Sequence, residues 1–79
     1  MEPKKVLSLF EFNLLTADEK AEAVWSGTFL GDRMEKAFRV QLYRVAAFYV
    51  EVFYDGDVNK IVEFRPFNSY DLLAPYLKQ

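Results

Sequence analysis

The chain contains no cysteine and no histidine among its 79 residues, and it has only three glycines. Without cysteine it can form neither a disulfide framework nor a thiolate metal site. Without histidine it lacks the commonest general base and the commonest transition-metal ligand. The scattered glycines form no phosphate-binding loop. These absences argue against conventional side-chain catalysis, so the sequence predicts a protein that is not an enzyme and holds no cofactor or metal.

Long apolar runs and an excess of one charge are also missing. Glu11 and Asn13 interrupt the N-terminal apolar stretch, which excludes a signal peptide, and no segment approaches the ~20 apolar residues of a membrane span. The formal net charge is −2 with both signs interspersed, which gives no electrostatic footprint for nucleic acid. We therefore expect a cytoplasmic protein with no membrane partner and no strong attraction for nucleic acid.

Aromatic side chains are what the chain has in excess. Its length predicts one small domain, residues 1–79, with a core of limited size. Each aromatic side chain can bury roughly 150–250 Å², and eight Phe, five Tyr and one Trp are more than one small core obviously needs. The surplus makes a homodimer possible, because exposed apolar surface favours self-association.

The segment Phe38–Tyr54 predicts the central hairpin of the fold. Apolar residues alternate with polar or aromatic ones on both sides of Val45–Ala47, which is the signature of half-buried strands. A three-residue loop at Val45–Ala47 would place Leu42 opposite Val50. Register matters here, since a slip of one residue reverses the two faces of a strand.

Two further strands are predicted beside this hairpin. A strand over Thr28–Met34 with a Glu35-Lys36 turn places Asp32 opposite Arg39, an attractive pair. Asp55-Gly56 predicts a two-residue turn that pairs Glu51 with Lys60 in a fourth strand, which Pro66 ends.

The segment that begins at Asp55 also resembles the opening of a calcium-binding loop. Lys60 and Pro66 stand where such a loop needs a glycine and a bidentate glutamate, so an ordinary turn is the better interpretation.

Helices are predicted on both sides of the strands. Ser8 with Glu11 and Thr16 with Glu19 match the capping-box pattern. The first box predicts a short helix over Leu9–Leu15, although a strand over Val6–Phe12 competes with it. The second predicts a helix that places Trp25 in the core and ends at Gly27 as a left-handed cap. Asn68 or Ser69 would cap a last helix, kinked at Pro75.

The predicted fold is α+β, a four-stranded antiparallel β-meander flanked by N-terminal and C-terminal helices (α-β-β-β-β-α), with the helices packed on one apolar sheet face.

The other face would mix charged with aromatic side chains, and a face exposed only to solvent would not need the aromatic ones. We therefore predict a protein-interaction module whose candidate contacts, all on that face, are Arg39, Tyr43, Tyr49, Glu51 and Phe53. The alternative is single-stranded nucleic-acid binding, because aromatic side chains on an open sheet can stack with bases. Asp32 and Glu51 also lie there, but basic neighbours make solvated ion pairs the better interpretation than an acid–base pair.

Several short motifs resemble those of a family of small uncharacterised bacterial proteins. They are Leu9-Phe10-Glu11-Phe12-Asn13, the spaced set Trp25, Gly27, Phe29, Leu30 and Arg33, Leu42-Tyr43, Phe48-Tyr49-Val50-Glu51-Val52 and Pro75-Tyr76-Leu77. The resemblance spans nearly the whole chain and consists of residues suited to packing. It implies a compact bacterial single-domain protein and assigns no activity, cofactor or partner.

Overall fold

The computed structural model describes residues 7–77, except for the side chains of Tyr70 and Leu72. The elements in chain order are α1 (Leu9–Asn13), α2 (Ala17–Trp25), β1 (Thr28–Glu35), β2 (Phe38–Val45), β3 (Phe48–Asp55), β4 (Lys60–Phe67), a 3-10 turn (Tyr70–Leu73) and α3 (Ala74–Leu77). The four strands form one antiparallel sheet in the order β1-β2-β3-β4. The predicted α+β meander with flanking helices is confirmed, and α1 replaces the competing strand.

Both predicted capping boxes are present. The Ser8 hydroxyl accepts a hydrogen bond from the Glu11 N–H at 3.1 Å, and the Glu11 carboxylate accepts one from the Ser8 N–H at 3.0 Å. Thr16 and Glu19 make the same reciprocal pair at 3.2 and 2.9 Å. Each box satisfies two of the backbone donors that a helix start leaves without partners, which is why these two short helices begin where they do.

The prediction that Gly27 ends α2 as a left-handed cap is wrong. Ser26 is the C-cap and has right-handed geometry, and no glycine has a positive φ angle among the residues that the structure describes. Gly27 is required for a different reason, because a Cβ atom there would collide with the carbonyl oxygen of Arg44 in β2. The absence of a side chain lets α2 pass directly into the sheet.

The predicted loop between β2 and β3 is also wrong, and it changes the faces of the sheet. The loop has two residues, Ala46 and Ala47, so Val45 pairs with Phe48. Ala46 has a φ of 53°, which allows this tight connection without glycine. Leu42 consequently lies opposite Glu51 instead of Val50. Relative to β3, the two faces of β2 are therefore exchanged compared with the prediction.

The hairpin between β1 and β2 differs in register and has an irregularity between Phe29 and Gly31, so that Phe29 pairs with Tyr43 while the strand keeps its predicted faces from Gly31 onward. Its loop is Lys36-Ala37 instead of Glu35-Lys36, and Asp32 pairs with Gln41. A shift of two residues preserves the alternation of side chains. Asp32 therefore remains on the same face as Arg39, and the predicted ion pair forms diagonally, with Asp32 Oδ2 3.0 Å from Arg39 Nη2.

The loop between β3 and β4 is longer than predicted. Asp55 pairs with Lys60 across a loop of residues 56–59, in which Asn59 has a φ of 57°. The register therefore places Arg65, not Lys60, opposite Glu51. Pro66 does not end the strand, because β4 is an edge strand in which a missing N–H is tolerated.

The helices cover both faces of the sheet, not one as predicted. On the front face α1 and α2 pack over a core of Phe12, Val24, Val45, Phe48, Val50 and Val52. On the back face the C-terminal strap, which we define as residues 68–77, packs through Leu73 against Leu42 and Phe67. Ser69 caps the strap by accepting a hydrogen bond from the Asp71 N–H at 3.3 Å. The strap changes from 3-10 to α-helix at Ala74 where a kinked single helix was predicted.

Candidate interaction surfaces

The five predicted contact residues do not share one surface. Arg39 and Tyr43 lie on the front face of β2, whereas Tyr49, Glu51 and Phe53 lie on the back face of β3. Glu51 and Phe53 are 2% and 4% exposed. The prediction of a common face is therefore wrong because the β2–β3 register is shifted. Their contact with a partner stays a prediction, and Arg39 has the exposure that it requires.

A different set of side chains forms an exposed aromatic surface on the front face, next to α2. Trp25, predicted to be in the core, is 51% exposed and packs edge-to-face on Tyr43 with ring centroids 5.4 Å apart. Phe29, also 51% exposed, packs on the other side of Tyr43 at 5.5 Å. The helices are too short to cover this part of the sheet. We call this region the open front surface and define it as Trp25, Phe29, Asp32, Met34, Arg39, Gln41, Tyr43, Tyr54 and Ile61.

Two shallow depressions make the open front surface continuous. Trp25, Gln41 and Ile61 line one of about 210 Å³ together with Arg39 and Tyr54. Arg39 and Tyr54 also line a second of about 250 Å³, next to Met34, which is 67% exposed. Binding pockets for small molecules are typically ~300–1,000 Å³ and enclose most of the ligand. These open depressions are better suited to side chains of a protein partner.

Charge on the open front surface is balanced. The Arg39 guanidinium donates hydrogen bonds from Nε and Nη2 to Asp32 Oδ2 at 3.2 and 3.0 Å. The two side chains are 59% and 40% exposed, so the pair contributes little to folding stability. Its importance is that one charge of each sign lies beside the aromatic side chains.

The back face contains a buried carboxylate. Glu51 Oε2 accepts hydrogen bonds from the Tyr76 hydroxyl at 2.7 Å and from Arg33 Nη2 at 3.0 Å. Glu51 Oε1 lies 3.5 Å from Arg65 Nε, an ion pair without hydrogen-bond geometry. The Arg65 guanidinium in turn lies 4.8 Å from the centre of the Phe53 ring. A charge as buried as Glu51 is tolerated only with such partners, since its desolvation costs several kcal/mol.

This cluster shifts the proton affinity of two of its members. Burial raises the pKa of Tyr76 above its ordinary value, and the hydrogen bond to the Glu51 carboxylate raises it further. Burial alone would lower the pKa of Arg33, but hydrogen bonds to Glu51 and Glu35 outweigh it, so the pKa of Arg33 is raised. Tyr76 therefore stays a neutral donor and Arg33 a cation under ordinary conditions.

The sequence does not predict either group, because both depend on strand registers and above all on that of β2 and β3. The open front surface and the Glu51 cluster depend on which strand faces coincide, and the Ala46-Ala47 loop that decides this has no glycine or asparagine signal. Glu51, placed between apolar Val50 and Val52, was the one available signal. A lone acid within an apolar run has to be exposed or paired, and here it is paired.

Residues 7–77 contain no group of three or more His, Cys, Asp or Glu side chains that could hold a metal ion. Within the same range, no helix has the length and apolar character needed to cross a membrane.

Comparison of the chain with protein-family models, with curated proteins and with solved structures finds no match. The resemblance to small bacterial proteins therefore stays a prediction.

Proposed function

We propose that the chain is a non-enzymatic protein-interaction module that binds a second copy of itself through the open front surface. The observation that carries this proposal is the exposure of Trp25, Phe29 and Met34 on one continuous surface beside Arg39. Trp, Tyr and Arg dominate the binding energy of measured interfaces. Soluble monomers rarely leave such large side chains together in water.

Charge complementarity supports a second copy as the partner. In a two-fold symmetric dimer, each surface meets an identical surface. A surface with a single charge sign would repel itself, whereas this one carries Asp32 and Arg39 within 3.0 Å of each other. Each Arg39 can pair with Asp32 of the other copy, so association leaves no charge without a partner. The aromatic side chains then supply apolar area at the centre.

Nucleic-acid binding has weaker support. Aromatic side chains beside an arginine suit the stacking of single-stranded bases. However, affinity for nucleic acid comes mainly from cations that neutralise phosphates. Among the described residues that define the open front surface, Arg39 is the single cation, and Asp32 neutralises it. We therefore treat nucleic-acid binding as an outcome of the test.

The experiment measures molar mass by light scattering over a range of protein concentrations. We expect the mass of the natural chain to rise from 9.3 kDa toward twice that value. Met34→Asp should hold the protein at the monomer mass, because it places a charge on an exposed position of the surface. Phe10→Asp is the matched control, since Phe10 is 71% exposed but lies on α1, outside the surface. It should dimerise like the natural chain.

Two results would overturn the proposal. One is a natural chain that stays a monomer at every concentration. The other is a dimer that Met34→Asp and Phe10→Asp affect equally, which would place the interface elsewhere. A labelled single-stranded oligonucleotide is titrated into the same samples. Saturable binding that weakens steeply with salt and is lost with Arg39→Ala would establish the nucleic-acid function instead.

A further inference from the structure

The structure assigns a second binding site to the back face, beneath the C-terminal strap. We infer that this groove binds a short helical peptide with an apolar side chain followed three residues later by a tyrosine. The strap occupies the groove intramolecularly and shows the chemistry of such a ligand. This inference does not depend on the open front surface.

The apolar half of the groove is formed by the sheet. Leu73 of the strap, 8% exposed, packs against Leu42 and Phe67, which are 2% and 6% exposed. Tyr49 stacks on Phe67 with ring centroids 5.5 Å apart and closes one side. These side chains belong to β2, β3 and β4, so the pocket does not need the strap for its shape.

The polar half is a preorganised acceptor for a hydroxyl group. Arg33 from β1 and Arg65 from β4 hold the Glu51 carboxylate between them, at 3.0 and 3.5 Å. Tyr76 of the strap adds one hydrogen bond to this arrangement and places its ring 5.7 Å from the Arg33 guanidinium. The ring also lies over Gly31 of β1, where an added Cβ atom would be in ordinary van der Waals contact with it at 3.7 Å. A peptide tyrosine could replace Tyr76 without any rearrangement of the sheet.

The strap is too short to be a stable helix when it is not packed on the sheet. Its 3-10 turn and its α-helix have four residues each, far below the length at which a helix is stable alone. Among the side chains that the structure describes in the strap, Leu73 and Tyr76 form its contacts with the sheet, while Leu77 is 76% exposed. When the strap leaves, Glu51 keeps both arginines, so no charge is stranded. Among the described side chains of the strap, the contacts that opening breaks are those of Leu73 and Tyr76.

Competition with the strap sets the apparent affinity for a peptide. A tethered occupant acts at an effective concentration of roughly millimolar, and a ligand binds only the fraction of molecules whose groove is empty. Substitutions that remove contacts of the strap with the sheet should therefore increase the affinity for the peptide. If the strap had only a structural role, the same substitutions would not increase it.

The test uses the full chain and a fluorescent peptide with the sequence of residues 69–79, followed by anisotropy. Leu73→Ala combined with Tyr76→Ala removes the two described strap side chains that fill the groove and substitutes no residue of the sheet. We expect this variant to bind the peptide at least about tenfold more tightly than the natural chain. Leu77→Ala is the matched control, because Leu77 is exposed, and it should bind as weakly as the natural chain.

The peptide itself carries the chemical test. Replacing the tyrosine that corresponds to Tyr76 by phenylalanine should weaken binding about tenfold or more, as expected for loss of a hydrogen bond to a charged group. Equal binding of both peptides, or equal binding by the double variant and the natural chain, would overturn the inference. If the double variant does not fold, hydrogen exchange of the backbone amides of the natural chain tests whether the groove opens. Exchange of the 70–77 amides well before those of β3 supports an opening groove, and exchange only with global unfolding refutes it.

Discussion

Tyr76 links the C-terminal strap to the one fully buried charge of the described chain. Its hydroxyl donates to Glu51 Oε2 at 2.7 Å, and Arg33 donates to the same oxygen at 3.0 Å. Two donors on one carboxylate oxygen are compatible only while the phenol keeps its proton. A phenolate at that distance would place two negative charges against each other inside the protein. Burial of the phenol raises the pKa of Tyr76, and the hydrogen bond to the Glu51 carboxylate raises it further.

Folding stability should therefore fall at high pH through Tyr76. The unfolded chain loses the phenol proton near pH 10.0, but the folded chain holds it to higher pH. Above pH 10.0 the unfolded state binds fewer protons, so the free energy of unfolding decreases as pH rises, whereas below it this contribution is complete. Urea unfolding as a function of pH measures the decline, which Tyr76→Phe should make shallower. At neutral pH the same variant should cost about 1–3 kcal/mol, because it removes a hydrogen bond to a charged group.

Tyr49→Phe is the matched control for this prediction. Tyr49 also lies on the back face and stacks on Phe67, and its hydroxyl makes no hydrogen bond within the described structure. This variant should keep the decline of the natural chain at high pH. Equal slopes for Tyr76→Phe and the natural chain would show that Tyr76 does not cause the decline.

At the scale of elements, the sequence predicts helix starts and strand identities well and loop registers poorly. A capping box such as Ser8 with Glu11 is a local interaction within four residues, so its pattern is sufficient evidence. The loop Ala46-Ala47 places an alanine at a φ of 53°, a conformation for which glycine is the usual signal. Burial of Val45 and Phe48 on the same core overrides that local preference. Tertiary packing, which the sequence does not display, chooses the register.

This loop should respond oppositely to glycine at its two positions. Ala46→Gly relieves the steric conflict of a left-handed residue and should raise the free energy of unfolding by about 0.5–1 kcal/mol. Ala47 has no positive φ, so Ala47→Gly only adds conformational freedom to the unfolded chain. It should lower the free energy of unfolding by about the same amount. Both side chains are exposed, so neither change alters the core. Urea unfolding of the two variants provides the measurement. Effects of the same sign would contradict the strain at Ala46.

At the scale of the whole molecule, one sheet separates two layers that touch different faces. The fold class follows from alternation and capping, which are visible in the sequence. The candidate surfaces do not, because a slip of one residue between β2 and β3 exchanges what is exposed with what is buried. Arg39 and Tyr43 are the predicted contact residues that lie on the open front surface, whereas Glu51 is in the interior. A fold can thus be predicted correctly while its surface is not.

Phe12 tests whether the two layers unfold as one unit. It is fully buried and packs edge-to-face on Phe48 at 5.7 Å and on Phe64 at 6.4 Å, joining α1 to β3 and β4. Phe12→Ala should cost about 3–5 kcal/mol. A chain of this length has a total stability of roughly 4–12 kcal/mol, so much of it would be lost. Phe10→Ala, on the exposed side of the same helix, should change the free energy of unfolding by less than about 0.5 kcal/mol.

Two probes follow the two layers during urea unfolding of these variants. Trp25, the single tryptophan, reports the front face by fluorescence, and the NMR signals of Tyr76 report the back face. If the sheet couples the layers, Phe12→Ala should shift both transitions to the same lower urea concentration, although Tyr76 lies across the sheet from the deleted ring. A shift of the Trp25 transition alone would mean that the strap and its groove fold independently of the helical layer. In that case opening of the groove would also be independent of the open front surface, and the two sites could be occupied without affecting each other.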